Sequence, residues 1–460
     1  VQLIVHGHFY QPPRENPFTG RVPREASAAP YHDWNQRITA ECYGPNVALG
    51  NFARLSFDLG PTLARWLQRY ARAIHRGIVR QGRKTAMAQA YNHTILPLAP
   101  LRDKRTQVYW GIVDFQRRFG RAPRGMWLPE TAADLETLDV LAAAGIEYTI
   151  LAPWQATQSG IDTTRAYRVQ TSEQRWITVL FFDAWLSGSV SFDPWATEDA
   201  KRFVQIKLAE RRDGQRAEER LLLIASDGEL YGHHQRGREH WLRLLLEHEA
   251  PLHGYHPATP ADYLRLFPAR DTVEVRDRTS WSCLHGVARW STGCPCTEGD
   301  SSWKSALRAA LDRLGRALDA ACEQRAEGRL KDFWRARDAS IGLLLGDAPA
   351  AFLAEHAARP LTTEDEAAML KLLAAQYYGQ AMQVSDAYYW EDVSRLEPRT
   401  ALAYAVQAVA LAREAGAGDL EPRLRHDLAL VRSARTGLTA ADYYDEARHQ
   451  REQVLAGTQG

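Results

Sequence analysis

With 460 residues, 45% of them hydrophobic and 25% charged, the chain is long and apolar enough for one large barrel domain and a helical one. A formal net charge of +1 gives no electrostatic basis for nucleic acid or an anionic membrane as partner, and no apolar run approaches membrane-spanning length. Five unevenly placed cysteines and no opening signal peptide argue against a disulfide framework and make a cytoplasmic location the expectation. Nothing in the composition fixes an oligomeric state.

Residues 1–5 form an apolar strand that runs into His6-Gly7-His8-Phe9-Tyr10-Gln11-Pro12-Pro13. Side chains two apart on an extended segment share a face, so His6 and His8 point together, either at a metal or at hydroxyl groups. Without a carboxylate close behind, the zinc pattern is weak. Residues 13–45 read as a long loop over the strand ends, and Leu63, Trp66, Leu67, Tyr70 and Ile74 as one helix starting near Pro61. A second strand over 85–90 ends in Tyr91-Asn92-His93, and a helix over 103–119 follows.

Gly125-Met126-Trp127-Leu128 is strand-like, Pro129 blocks further ladder pairing, and Glu130 is released at the end. A helix over 134–144 with Gly145 at its close leads to strands over 148–151 and 179–182, the latter ending in Asp183, an N-cap or loop anchor. Residues 192–219 read as helical and charged, with a polar turn over 211–215. The apolar run 221–225 then stops at Ser226-Asp227-Gly228-Glu229-Leu230-Tyr231-Gly232-His233. Helices over 239–249 and 260–266 complete a strand-then-helix alternation that calls for a parallel barrel.

Two carboxylates that each close a buried strand, Glu130 and Asp227, supply what a glycosidase needs: one acid for the leaving oxygen and one carboxylate facing the anomeric carbon. Fourteen Trp and 18 Tyr suit stacking on sugar rings as well as core filling.

From Val273 the texture changes to a Gly- and Ser-rich segment that carries Trp281, Trp290 and Trp303. Within it Cys283, His285, Cys294 and Cys296 are candidates for a Cys3His zinc site. The Cys-x-His and Cys-x-Cys spacings are tighter than structural zinc usually shows, so a substrate-binding loop is the favoured reading and no metal is assigned. Residues 305–460 show helical periodicity with short loops, interrupted by Ser385-Asp386-Ala387-Tyr388-Tyr389-Trp390 and ending in a tail expected to be disordered from Gly457 on.

The pair Trp127-Leu128-Pro129-Glu130 and Asp227-Gly228-Glu229-Leu230-Tyr231-Gly232-His233 resembles glycoside hydrolase family 57, in a branch with a Cys-rich segment after the barrel. The resemblance implies an incomplete parallel (β/α)7 barrel over 1–272, a Trp/Cys-rich segment over 273–304 lining the cleft, and a helical bundle over 305–460. It implies Glu130 as nucleophile and Asp227 as acid/base of a retaining enzyme on α-glucan, with no cofactor. It also implies substrate contacts from His6, His8, Gln11, His93, Trp127, Glu229, His233, Trp281, Trp303, Asp386 and Trp390. The acid/base role asks for a raised Asp227 pKa, expected from repulsion by Glu229 or Glu130. Two rival readings stand beside this one: a zinc-dependent deacetylase or mannosidase using His6, His8, Asp227 and His93, and a non-catalytic glucan-binding protein.

Overall fold

The computed structural model describes residues 1–211 and 219–457. The polar turn expected over 211–215 falls, beyond Arg211, outside the described residues, as do the last three residues of the tail. The chain divides into two compact units, one of Val1–Pro13, Arg24–Tyr91 and Asp114–Ser282, the other of Arg14–Pro23, Asn92–Val113 and the chain from Cys283 onward.

In the first unit, β1 (Gln2–Phe9) pairs in parallel with β2 (Ser56–Leu59) on one side and β8 (Leu221–Asp227) on the other. Beyond β2 come β3 (Ala86–Gln89) and β4 (Met126–Trp127), also parallel. β5 (Tyr148–Leu151) pairs in parallel with β7 (Trp176–Phe181). A parallel bridge from Gly125 to Tyr148 joins β4 to β5, and the Asp183 N–H donates to the Leu223 carbonyl at 2.8 Å, joining the end of β7 to β8. Seven strands thus follow one another in the order β1, β2, β3, β4, β5, β7, β8 and back to β1, with thin seams at β4/β5 and β7/β8. This is the α/β ring expected from the sequence. β6 (Ala166–Gln170) runs antiparallel to β7, and β9 (His256–Pro257) and β10 (Asp271–Thr272) add short edges.

The strands are apolar because they are buried on both faces, and Ile4, Met87, Ile150, Leu180, Leu221 and Leu223 meet in one core. Several local expectations are corrected. Residues 56–59 form a strand that the sequence did not announce, and residues 61–81 form two helices, Pro61–Tyr70 and Arg72–Gln81, rather than one. The stretch read as loop turns helical at Trp34, where the Asp33 side chain accepts from the Gln36 N–H at 3.0 Å, and stays helical to Leu49. Of the stretch read as helical, residues 193–199 are not, whereas residues 200–211 are, and a further helix, Ala184–Phe192, precedes them, capped by Asp183 as one sequence reading had it.

The second unit is built on the helices Trp303–Ala326, Thr363–Ala381, Leu396–Glu414 and Ala440–Leu455. Leu318, Met369, Leu372, Ala375, Ala408 and Ala412 form its core. Thr362 caps the second of these helices and Glu364, Asp365 and Glu366 fill its first turn, where carboxylates oppose the positive end of the helix dipole. Fully buried Arg337 donates to Asp103 Oδ1 at 2.8 Å and to Thr106 Oγ1 at 2.6 Å. Among the described residues no helix is long and apolar enough to cross a membrane.

Candidate active site

Parallel register sets Asp58, His8 and Asp227 side by side on β2, β1 and β8. Neighbouring strands lie about 4.8 Å apart and register partners share a face, so the three side chains rise together at the strand ends. His8 donates from Nδ1 to Asp58 Oδ2 at 2.8 Å. His6, two residues earlier, donates from Nε2 to Asp58 Oδ1 at 3.1 Å, and its Nδ1 meets Ser56 Oγ at 3.0 Å. Burial holds His6 below its usual pKa and therefore neutral, despite Asp58. His8 is different: burial alone would lower it, but the charges of Asp58, Asp227 and Glu229 prevail and push it up to about 9. Asp58 shows the converse, since burial would raise its carboxyl and the two histidines hold it down. Trp127 is wholly buried and stacks on His6 and His8 with ring centroids 4.7 and 5.3 Å away, so it supports the histidines and offers no face to a sugar.

Past Pro129 the chain turns through Glu130 at φ 57° and Thr131 at φ 46°, a left-handed conformation that a β-branched residue rarely adopts. Such strain persists only where the surroundings impose it, and it collects at functional sites. Here the Trp281 N–H donates to the Glu130 carbonyl at 3.0 Å and Ala133 pairs with Thr279. The Glu130 side chain accepts at Oε2 from Trp281 Nε1 at 3.0 Å and Ser282 Oγ at 2.6 Å. Burial raises its carboxyl most, and the charge of Asp227 adds to that, while Ser282, Trp281 and His8 favour the anion.

Asp227 ends a buried strand yet is itself exposed. Protein nevertheless packs around it closely enough for burial to be the main cause of its raised pKa. His8 pulls it down and Asp58 pushes it up. Burial is thus the main source of the shift and Asp58 adds to it, while the repulsion expected from sequence is seen from the other side, in the rise that the Asp227 charge imposes on Glu130 and Glu229. Glu229 is buried, accepts from Tyr43 Oη at 2.5 Å, and is raised to about 8 by burial first and by the Asp227 charge as well. Gly228 is required between the two carboxylates, because a Cβ there would lie 2.5 Å from the Phe9 ring.

The remaining candidates are spread more widely. Gln11 follows β1 by two residues and is half-buried. His233 is paired through Nδ1 with Glu41 at 2.5 Å. His93 belongs to the second unit, where it takes up φ 54° and binds Ser385 Oγ through Nδ1 at 2.6 Å. Trp303 is buried there with its indole N–H donated to the Glu391 carbonyl at 3.0 Å. Trp390 is exposed with Arg395 over its ring at 4.7 Å, and Asp386 is half-buried. Sequence reasoning passed over Asp58, Tyr43 and Ser282, and also Gln89, the last residue of β3 and register partner of Trp127. Both amide atoms of Gln89 are buried without a hydrogen-bond partner among the described residues. A separate concavity lined by Thr164, Arg165, Arg220 and Asp271 lies at the amino ends of β6 and β8 and holds none of these groups.

With both ring nitrogens engaged by Ser56 and Asp58, His6 is not disposed to ligate a metal as the deacetylase reading required. A seven-strand ring that gathers acidic side chains at its carboxyl ends is instead the architecture of a barrel glycosidase. The chain belongs to glycosyl hydrolase family 57, whose model matches residues 7–276, and is an enzyme of glycosidic bonds. Residues 300–449 match a second model, a domain of unknown function, DUF3536. No curated protein sequence matches the chain.

Among solved structures, it is similar to an exo-type maltose-forming amylase from Pyrococcus sp. ST04, with TM-score 0.73 and 15% identity over 97% of this chain and 88% of that one. A GH57-type branching enzyme from Pyrococcus horikoshii gives TM-score 0.61 at 15% identity, covering 100% and 96%. A 4-alpha-glucanotransferase from Thermococcus litoralis gives 0.58 at 16%, covering 89% of this chain and 59% of that one, so here the chain spans little over half its relative's length. At these identities the likeness is one of fold.

Proposed function

We propose that the protein is a retaining glycosidase or transglycosidase of α-glucans, with Glu130 as nucleophile and Asp227 as acid/base. The observation that carries this reading is the electrostatic coupling of Glu130 to Asp227 beside the His8 imidazolium. Retention asks for carboxyls about 5–5.5 Å apart. Glu130 receives two hydrogen bonds that favour its anion, whereas burial and Asp58 push the Asp227 carboxyl toward its acid form. The acid/base role requires the proton to reside on Asp227 when substrate binds.

In the first step a Glu130 oxygen bonds to the anomeric carbon while the glycosidic C–O bond breaks, and the Asp227 proton passes to the leaving oxygen. In the second, Asp227 takes a proton from water or an acceptor hydroxyl, whose oxygen displaces Glu130. His8, positive at neutral pH, offsets charge as Asp227 becomes a carboxylate. The α-glucan assignment is supported by the family and by the amylase, branching and glucanotransferase activities in the names of the similar structures.

The test is product analysis after incubation with amylose and with maltooligosaccharides, for the unmodified chain and for Glu130→Gln. Hydrolysis, chain transfer or branching that disappears in the variant is expected. Loss of products with glucan binding retained also separates an enzyme from a binding protein.

A further inference from the structure

We propose that Cys283, His285, Cys294 and Cys296 bind one zinc ion as a closed, structural Cys3His site in the second unit, with the reading of the barrel playing no part in the argument. One potential ligand atom from each of the four lies within 4.8 Å of all the others. The sulfurs of Cys283 and Cys294 are 3.5 Å apart, those of Cys283 and Cys296 4.0 Å, and the Cys296 sulfur is 3.3 Å from His285 Nδ1. Tetrahedral zinc with Zn–S near 2.3 Å and Zn–N near 2.0–2.1 Å requires sulfurs about 3.8 Å apart and sulfur to nitrogen about 3.5 Å. The two sulfur–sulfur edges bracket the first value and the sulfur–nitrogen edge is about 0.2 Å shorter than the second. They are also far longer than the roughly 2.05 Å of a disulfide, and all four thiols of this unit, Cys322 included, are free.

Two features outside the ligand set point the same way. The backbone N–H groups of His285 and Arg289 are directed at the Cys283 sulfur, as outer-shell donors are toward a metal-bound sulfur. Lys304 is wholly buried, donates to Thr297 Oγ1 at 3.1 Å, and has no carboxylate within ion-pair distance among the described residues. Thiolates at Cys294 and Cys283 would attract it, with the Glu391 carboxylate contributing less. Zinc with three thiolates and a neutral imidazole carries one negative charge, which is the counter-charge a buried ammonium needs. Soft sulfur donors in a tetrahedral set select zinc over magnesium or calcium, and four protein ligands leave no open position for chemistry. On binding, the thiols release their protons to solvent and no oxidant is involved. The tight Cys-x-His and Cys-x-Cys spacings, which argue against zinc in the sequence, are accommodated by turns at Gly286 and Gly293, both in the left-handed region with φ 71° and 83°.

The full chain, purified without chelator, is analysed for metals and by zinc-edge X-ray absorption, and refolded with cobalt(II) in place of zinc. One zinc per chain with three sulfur and one nitrogen neighbours, and thiolate-to-cobalt charge-transfer absorption lost in Cys294→Ser, are expected. Chelator treatment should lower the melting temperature by several degrees. Should Cys294→Ser fail to fold, the absorption spectrum of the unmodified chain decides alone. A metal-free chain that takes up neither ion, a Cys283–Cys294 disulfide in the peptide map, or a nitrogen- and oxygen-only zinc shell would overturn the assignment.

Discussion

His8 and Asp58 stand 2.8 Å apart on adjacent parallel strands, both buried, and the pair keeps an imidazolium charged beneath the candidate catalytic carboxylates. The folded His8 pKa of about 9 exceeds its ordinary 6.5, so the stability it contributes is complete below pH 6.5 and is lost as pH rises through 9. The shift of about 2.5 corresponds to about 3 kcal/mol, and the depressed Asp58 reports the same attraction from the other side. Asp58→Asn should therefore lose most of its stability deficit against the parent between pH 6.5 and pH 9.5 in urea unfolding. A deficit independent of pH would show that the pair is not ionic.

Glu229 carries the opposite burden. Its folded pKa of about 8 lies above its ordinary 4.5, so the chain is stabilised relative to the unfolded state below pH 4.5 and loses that stability as pH rises to 8. At pH 7 the cost is about 3 kcal/mol. Glu229→Gln keeps an acceptor for Tyr43 and removes the ionisation. Thermal unfolding should show the variant equal to the parent at pH 4 and several degrees more stable at pH 8; a variant destabilised equally at both would contradict the shift.

Ser282 Oγ lies 2.6 Å from Glu130 and favours its anion. A hydrogen bond to a charged group is worth about 1.5–3 kcal/mol, so Ser282→Ala should move the acidic limb of the kcat/KM profile upward by about one pH unit and reduce kcat about tenfold at neutral pH. An unmoved limb would remove Ser282 from the account of Glu130.

Much of this was legible in the residues, and the reasons for the rest are local. Period-two geometry put His6 and His8 on one face, and apolar runs that stop at Glu130 and Asp227 marked strand ends. Asp58 escaped because its strand is four residues long and runs almost directly into a helix, so neither period had room to declare itself. Without Asp58, and without the burial around Asp227, the sequence accounted for only part of the Asp227 shift. β6 was missed because exposed Arg168 and Gln170 break its apolar run, as expected for a strand open on one face. The helical stretch from Trp34 to Leu49 was hidden by polar composition, although Asp33 supplies an N-cap.

The most direct test of the central claim is to trap the intermediate. The Asp227→Asn variant, slowed in the step that releases Glu130, is incubated with an activated 5-fluoro-α-glucosyl fluoride and its peptides are sequenced by mass spectrometry. One hexosyl adduct on Glu130, absent in Glu130→Gln, is the predicted result. An adduct on Glu229 or another residue, or turnover with inversion and no adduct, would contradict it.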